Sequence, residues 1–126
     1  MRVVVDTGVF SASLSRRRRA RLESHVRLMA GHQVFLAAVT VSELRFGALV
    51  AQWGEPRRGR LEGSIEATTV IPVSDGLLST IAELRFACRL AGHPFHDRSH
   101  AGDLWIAASA IHIGARLLAS SRKPQD

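Results

Sequence analysis

Apolar and polar positions along the chain form short runs of strand length separated by stretches with helical spacing. Residues 3–5 are three consecutive valines and predict a short buried strand. Residues 33–39 form a second run without charge, which predicts a parallel strand buried on both faces. Residues 68–73 and 116–121 predict two shorter strands. Pro72 cannot donate a ladder hydrogen bond, so the third strand is expected at an edge of the sheet.

The segments between these strands carry apolar residues at helical spacing. Residues 22–29 and 77–88 each place such residues on one face, and residues 104–114 are apolar nearly all round, which predicts a buried helix. The alternation of strand and helix favours an α/β fold with a parallel sheet and right-handed crossovers. At 126 residues, the chain is expected to form one domain, residues 1–126.

Composition places the chain among cytoplasmic globular proteins. Apolar residues make up 46% and charged residues 22% of the sequence, as is ordinary for a globular protein. The lone cysteine, Cys88, cannot form an internal disulfide and fits a reducing compartment. Asp6 interrupts the N-terminal apolar run, so no secretory signal is expected. Uncharged stretches such as residues 104–115 are too short to cross a bilayer, and no membrane role is expected.

The charge balance suggests a polyanionic partner. Lys and Arg outnumber Asp and Glu by 17 to 11, and nearly all of the cations are arginine, which suits bidentate phosphate contacts. Nucleic acid is the simplest such partner, although an acidic protein or an arginine-rich proteome also explains the balance. The run at residues 16–19 enters a predicted helix, where the macrodipole disfavours cations. This mismatch mildly favours a role in binding for these four arginines.

Three acids occupy equivalent places in the predicted fold. Asp6 follows the first strand, Glu43 lies a short turn after the second, and Asp103 opens the buried helix. Ligands of parallel sheets bind at the carboxyl ends of the strands, so these carboxylates can converge at one edge. Such a cluster needs a cation, and Mg²⁺ or Mn²⁺ suits oxygen ligands and supports phosphodiester hydrolysis. The alternative is that Asp6 and Asp103 cap helices and that Glu43 completes a capping box with Thr40.

Other constellations carry weaker signals. Three histidines share one loop, residues 93–100, but their spacing matches no strong zinc pattern and no cysteine supports them, so a zinc site is not predicted. The sequence contains no P-loop, GxGxxG or GxSxG motif.

Taken together, three motifs give the chain a family resemblance. They are Val-Val-Val-Asp-Thr at residues 3–7, Val-Thr-Val-Ser-Glu-Leu at residues 39–44 with Gly47, and Asp-Leu-Trp-Ile-Ala-Ala-Ser-Ala at residues 103–110. In order, spacing and context, the chain resembles the PIN-domain ribonucleases, specifically the VapC-type toxins of bacterial toxin–antitoxin pairs. The resemblance covers essentially the whole chain, and the third motif is the most distinctive.

The resemblance implies a three-layer α/β/α fold with a central, mainly parallel sheet, and a Mg²⁺- or Mn²⁺-dependent endoribonuclease. By position, Asp6, Glu43 and Asp103 would be its acidic catalytic residues and metal ligands. It also implies a homodimer, RNA substrates, and inhibition by a small VapB-type antitoxin whose tail fills the groove beside the active site.

The C-terminus departs from the family pattern. The last strand is usually followed by Thr, any residue, and Asp or Asn, whereas this chain has Ala119-Ser120-Ser121. Ser121 therefore stands where the family has a fourth metal-site or water-positioning residue, and a hydroxyl is a poorer Mg²⁺ ligand than a carboxylate. The alternative function is a catalytically weakened PIN-like domain that acts mainly as an antitoxin- or RNA-binding module. A DNA-binding regulator ranks last, because no helix-turn-helix pattern is evident.

Overall fold

A four-stranded parallel sheet forms the centre of the protein, for which a computed structural model describes residues 1–120. Every pair of neighbouring strands is parallel, as the sequence predicted, and the order across the sheet is β3-β2-β1-β4. The third strand lies at an edge, as Pro72 indicated. The strands are β1 (Arg2–Val5), β2 (Gln33–Ala37), β3 (Thr69–Ile71) and β4 (Arg116–Leu118).

Seven α-helices lie within residues 1–120, and two short 3-10 turns, Pro94–His96 and Arg98–His100, precede the last of them. None of these helices is long and apolar enough to span a bilayer. The helices are α1 (Thr7–Ser13), α2 (Arg16–Arg19), α3 (Glu23–Met29), α4 (Ala38–Val50), α5 (Glu55–Glu66), α6 (Asp75–Leu90) and α7 (Ala101–Ile113).

The side chains of β1 alternate between two hydrophobic cores, one on each face of the sheet. Val3 and Val5 pack with residues of α1, α4 and α5. Val4 points to the opposite face, where it packs with Ile106 and Ala110 of α7. Helices therefore cover both faces, and the predicted three-layer α/β/α architecture is confirmed. It places the carboxyl ends of β1 and β2, the two central strands, beside each other.

Two helix starts differ from the sequence prediction. The chain turns into α4 at Ala38, so Thr40 lies inside the helix and is 0% exposed rather than capping it. The predicted capping box is therefore wrong, because a short apolar run continues equally well as buried helix or as strand. In the same way α7 begins at Ala101, so Asp103 lies in its first turn and is not its N-cap. Ser121 lies outside the described residues.

Candidate functional site

Asp6 joins the end of β1 to two other parts of the chain. Its Oδ1 accepts a hydrogen bond of 2.8 Å from the backbone N–H of Val9, which makes Asp6 the N-cap of α1. Its Oδ2 accepts from the backbone N–H of Ser120 at 2.8 Å and from the Ser120 hydroxyl at 3.1 Å. The capping interpretation of Asp6 is thus confirmed. Both carboxylate oxygens also face the carboxyl edge of the sheet, between β1 and the residues that follow β4.

Glu43 reaches the same edge from the second turn of α4. Its Oε1 accepts a hydrogen bond of 2.5 Å from the Thr7 hydroxyl. The Oγ1 atom of the buried Thr40 lies 3.4 Å from that same hydroxyl. Thr7 directly follows Asp6, so this bond connects the Glu43 side chain to the residue next to Asp6. Asp6 and Glu43 are therefore linked through Thr7, with no direct bond between their carboxylates among the described hydrogen bonds.

Asp103 is held much more loosely than the other two acids. Its side chain is 65% exposed, and the Nδ1 atom of His100 lies 3.9 Å from its Oδ2. The preceding residue, Gly102, nevertheless contacts Glu43: a methyl group at Gly102 would lie 2.9 Å from Glu43 Oε2. The first turn of α7 thus packs directly against the Glu43 carboxylate, and Asp103 follows on its solvent side.

The donors at this edge fit a hard divalent ion by chemical type. Carboxylate and hydroxyl oxygens are the ligands that Mg²⁺ and Mn²⁺ prefer. Their described positions do not complete a site, since no group of three or more His, Cys, Asp or Glu side chains within residues 1–120 is arranged to hold a metal ion. Asp6 and Glu43 are linked through Thr7, and the side chain of Asp103 is exposed.

A groove of about 840 Å³ opens beside Glu43, between the helices that cover one face of the sheet. Its polar lining combines one carboxylate with three guanidinium groups, so the groove suits an anionic ligand. Its apolar lining comes mainly from α4 and α5. The lining includes Thr7, Arg17, Glu43, Trp53, Arg57 and Arg60.

An ion pair fixes the two helices that form one wall of this groove. Arg45 of α4 donates from Nε to Glu62 Oε2 at 3.1 Å and from Nη2 to Oε1 at 2.7 Å, so the pair is bidentate. The hydrogen bond from Arg45 lowers the pKa of Glu62, and the Glu62 carboxylate raises the pKa of Arg45. Both side chains are about half exposed, so the pair contributes to geometry more than to stability.

Two residues of the site were missed from the sequence. Thr7 had a usable signal, since it follows a predicted site acid directly. No sequence signal identified Ser120 as a partner of Asp6. The two residues are 114 positions apart, and only the β1–β4 pairing brings them together. A methyl group at Gly8 would overlap the Ser120 hydroxyl, so Gly8 is needed for this close approach.

Similarity to known proteins extends over nearly the whole chain. The model of the PIN domain family matches residues 3–122. A chain of the VapBC2 crystal structure from Rickettsia felis, bound to a DNA fragment from its promoter, is similar with a TM-score of 0.72 and 20% identity, covering 93% of this chain and 86% of that one. A chain of FitAcB from Neisseria gonorrhoeae is similar with a TM-score of 0.68 and 27% identity, covering 91% and 84%. Comparison with curated proteins gave no match.

Proposed function

The chain belongs to the PIN domain family, and we propose that it is the toxin of a toxin–antitoxin pair, a metal-dependent endoribonuclease that hydrolyses RNA phosphodiester bonds. One observation carries the proposal: Asp6 and Glu43, linked through Thr7, lie at the carboxyl edge of the sheet, and Glu43 lines a groove together with three arginines. A PIN domain is generally a nuclease, and the groove supplies the cations that a polyanionic substrate requires. Such a protein would act in the cytoplasm.

In this proposal Asp6 and Asp103 hold Mg²⁺ or Mn²⁺ most directly, and Glu43 completes the site and orients water. The ion, when bound, would activate water and neutralise charge on the phosphoryl group. The chain's own contribution is preorganisation. Hydrogen bonds from Val9 and Ser120 fix the Asp6 carboxylate, and Thr7 fixes that of Glu43. Asp103, in the first turn of α7, would be the third carboxylate of the site.

A cleavage assay on total RNA tests the proposal. We expect Mn²⁺-dependent cleavage that EDTA abolishes, and the Asp6→Asn variant should lose both cleavage and toxicity on expression. Arg89→Gln, an exposed change on α6 outside the groove, is the matched control and should cleave as the parent does. Equal growth arrest by Asp6→Asn and the parent would contradict the catalytic claim.

We further propose a small VapB-type antitoxin as the partner of this protein. One of the similar structures is a VapBC2 assembly, and its overall likeness to this chain supports such a pairing. The tail of the antitoxin would fill the groove beside Glu43 and block access of RNA to the acids. An antitoxin gene next to the gene for this chain, and restored growth when both are expressed, are the expected observations.

A homodimer is supported by an apolar face that the fold leaves uncovered. Phe46, Leu49 and Val50 are exposed at helical spacing on α4, on the side away from the groove. Large exposed apolar side chains on one helix face are typical of an interface. Light scattering should give twice the chain mass for the parent and for the control Leu90→Glu, and a monomer for Leu49→Glu.

The second candidate function is a weakened PIN-like domain that binds its antitoxin or RNA without cutting. The observation that favours it is the lack, within the described part of the chain, of three side chains arranged to hold a metal ion. It predicts no metal-dependent cleavage alongside retained binding of RNA. The same cleavage assay, run beside a binding assay in EDTA, therefore separates the two functions.

A further inference from the structure

An aromatic–arginine pair on the wall of the groove includes one of the three arginines described above. Trp53 precedes α5, and Arg57 lies in the first turn of that helix. The guanidinium carbon of Arg57 lies 3.9 Å from the centroid of a Trp53 ring, and both side chains line the groove that contains Glu43. The macrodipole disfavours a cation in the first turn of a helix. The indole face offsets that cost by a cation–π contact.

The N–H donors of Arg57 are available, because the residue is exposed and none of the described hydrogen bonds or ion pairs uses them. Stacking uses the face of the planar guanidinium, whereas its five N–H donors lie in the plane and point outward. Those donors match two oxygens of a phosphate group. Because Trp53 limits the conformations of Arg57, less side-chain entropy is lost when an anion binds. The pair is thus a preorganised phosphate-binding group.

The charges around the stack also point to an anion. Within residues 1–120, neither Arg57 nor Arg60 forms an ion pair, whereas Arg45 on the neighbouring helix is paired with Glu62. Arg60 follows Arg57 by three residues, so the two cations share one face of α5. The Arg45–Glu62 pair joins α5 to α4, the helix that carries Glu43.

We propose that Arg57, oriented by Trp53, binds a backbone phosphate of a single RNA strand that lies in the groove. A recess of about 840 Å³ between helices receives one strand, and positive grooves with aromatic side chains are typical of single-strand binding. Trp53 is a positioning residue, and Arg60 adds a second phosphate contact along the same strand. The identity of the nucleic acid as RNA rests on the proposed function.

Binding of a fluorescein-labelled octauridylate, measured by anisotropy in EDTA, tests this subsite without cleavage. Arg57→Gln should weaken binding by about fivefold, and the slope of log affinity against log salt should fall by about 0.7, the value for one phosphate contact on a single strand. The control Arg89→Gln removes an exposed arginine of α6 and should leave affinity and slope unchanged. Circular dichroism melting checks that each variant is folded.

Trp53 is tested by its coupling to Arg57. Trp53→Leu should weaken binding about as much as Arg57→Gln, and the double variant should be no weaker than either single one. Trp53→Phe keeps an aromatic face and should bind nearly as the parent does. Additive losses in the double variant would show that Trp53 does not act through Arg57, and equal losses in Arg57→Gln and Arg89→Gln would overturn the subsite.

A second probe separates phosphate from acidic protein. The parent should bind the octauridylate more tightly than an octaglutamate peptide. Arg57→Gln should reduce this difference in affinity between the two probes. If Arg57→Gln weakens only peptide binding, the stack serves a protein ligand and the RNA assignment is wrong. If the parent cleaves RNA but Arg57→Gln binds RNA as tightly as the parent, the proposed subsite is wrong and the proposed function is still supported.

Discussion

The two acid-bearing regions at the start of α1 and before α7 differ in what holds their carboxylates. Asp6 accepts hydrogen bonds from Val9 and from Ser120, a residue 114 positions away. In the loop before α7, Asp97 accepts from the N–H and hydroxyl of Ser99, two residues away, and these bonds lower the pKa of Asp97. Asp103 beyond that loop is largely exposed. One region is thus fixed by the whole fold and the other by its own local sequence.

This difference predicts that substitutions in the first region affect folding and function together, whereas those in the second affect function alone. A carboxylate that accepts hydrogen bonds from distant backbone donors is part of the tertiary structure. Its removal leaves those donors without a partner, at a cost of about 1–3 kcal/mol where they are buried. Removal of an exposed carboxylate has no comparable cost in stability, because water can replace its contacts.

The largest expected effect comes from comparing Asp6→Asn with Asp103→Asn. Each variant should lower RNA cleavage on the order of a hundredfold under the proposed function. Only Asp6→Asn should also lose about 1–2 kcal/mol of unfolding free energy, because the amide nitrogen cannot accept the bond that Ser120 donates. Urea denaturation measures the second quantity. Equal losses of stability in both variants would contradict the claim that only the Asp6 carboxylate contributes to folding stability.

Gly8→Ala tests the close approach of Ser120 to the start of α1. The added methyl group would overlap the Ser120 hydroxyl and lie 2.9 Å from its Cβ. Overpacking of this kind costs about 1–3 kcal/mol, so urea denaturation should show a clear loss. Ser120→Ala alone should cost less, since the backbone N–H still bonds to Asp6. Adding Ser120→Ala to Gly8→Ala should recover part of the loss, and no recovery would contradict the proposed clash.

Gly102→Ala tests the contact between the two regions. Its methyl group would lie 2.9 Å from Glu43 Oε2, the end of a flexible side chain, so the carboxylate should move and the fold should remain stable. Under the proposed function, displacement of Glu43 lowers the rate, and we expect a fall on the order of tenfold in cleavage. In the control Gly63→Ala on α5, the added methyl group meets no atom within 4 Å, so cleavage should be unchanged. An unchanged rate in Gly102→Ala would show that cleavage does not depend on the exact position of the Glu43 carboxylate.

The smallest effect is expected at the ion pair that joins α4 to α5. The pKa of Glu62 is lowered from its ordinary value of 4.5, so its ionised form is favoured in the folded protein. The resulting stabilisation is present above the pKa of the unfolded chain and is lost as the pH falls through the lower folded value. Glu62→Gln should therefore lower Tm slightly at pH 7, by no more than about 2 °C. The difference from the parent should shrink well below pH 4.5 and at high salt.

Local pattern was enough to predict the layout of the fold. The three valines of β1 alternate between two cores, as a strand with both faces covered requires. Pro72 correctly indicated an edge strand, and the motifs around Asp6, Glu43 and Asp103 matched the family whose model covers residues 3–122. These features follow from short-range periodicity and backbone chemistry, which the sequence contains directly. Helix starts were less accurate, because an apolar run at residues 33–39 does not mark where strand becomes helix.

What holds the site together was decided by the tertiary structure alone. The sequence suggested Thr40 as the partner of Glu43 and gave no partner for Asp6 beyond its own helix. In the fold, Thr7 bonds Glu43 and Ser120 bonds Asp6. Thr7 stands next to a predicted acid, but its contact with Glu43 and that of Ser120 with Asp6 depend on which strands are neighbours and on their register. The sequence determined which acids stand at the ends of its elements, and the packing of the sheet determined what each carboxylate contacts.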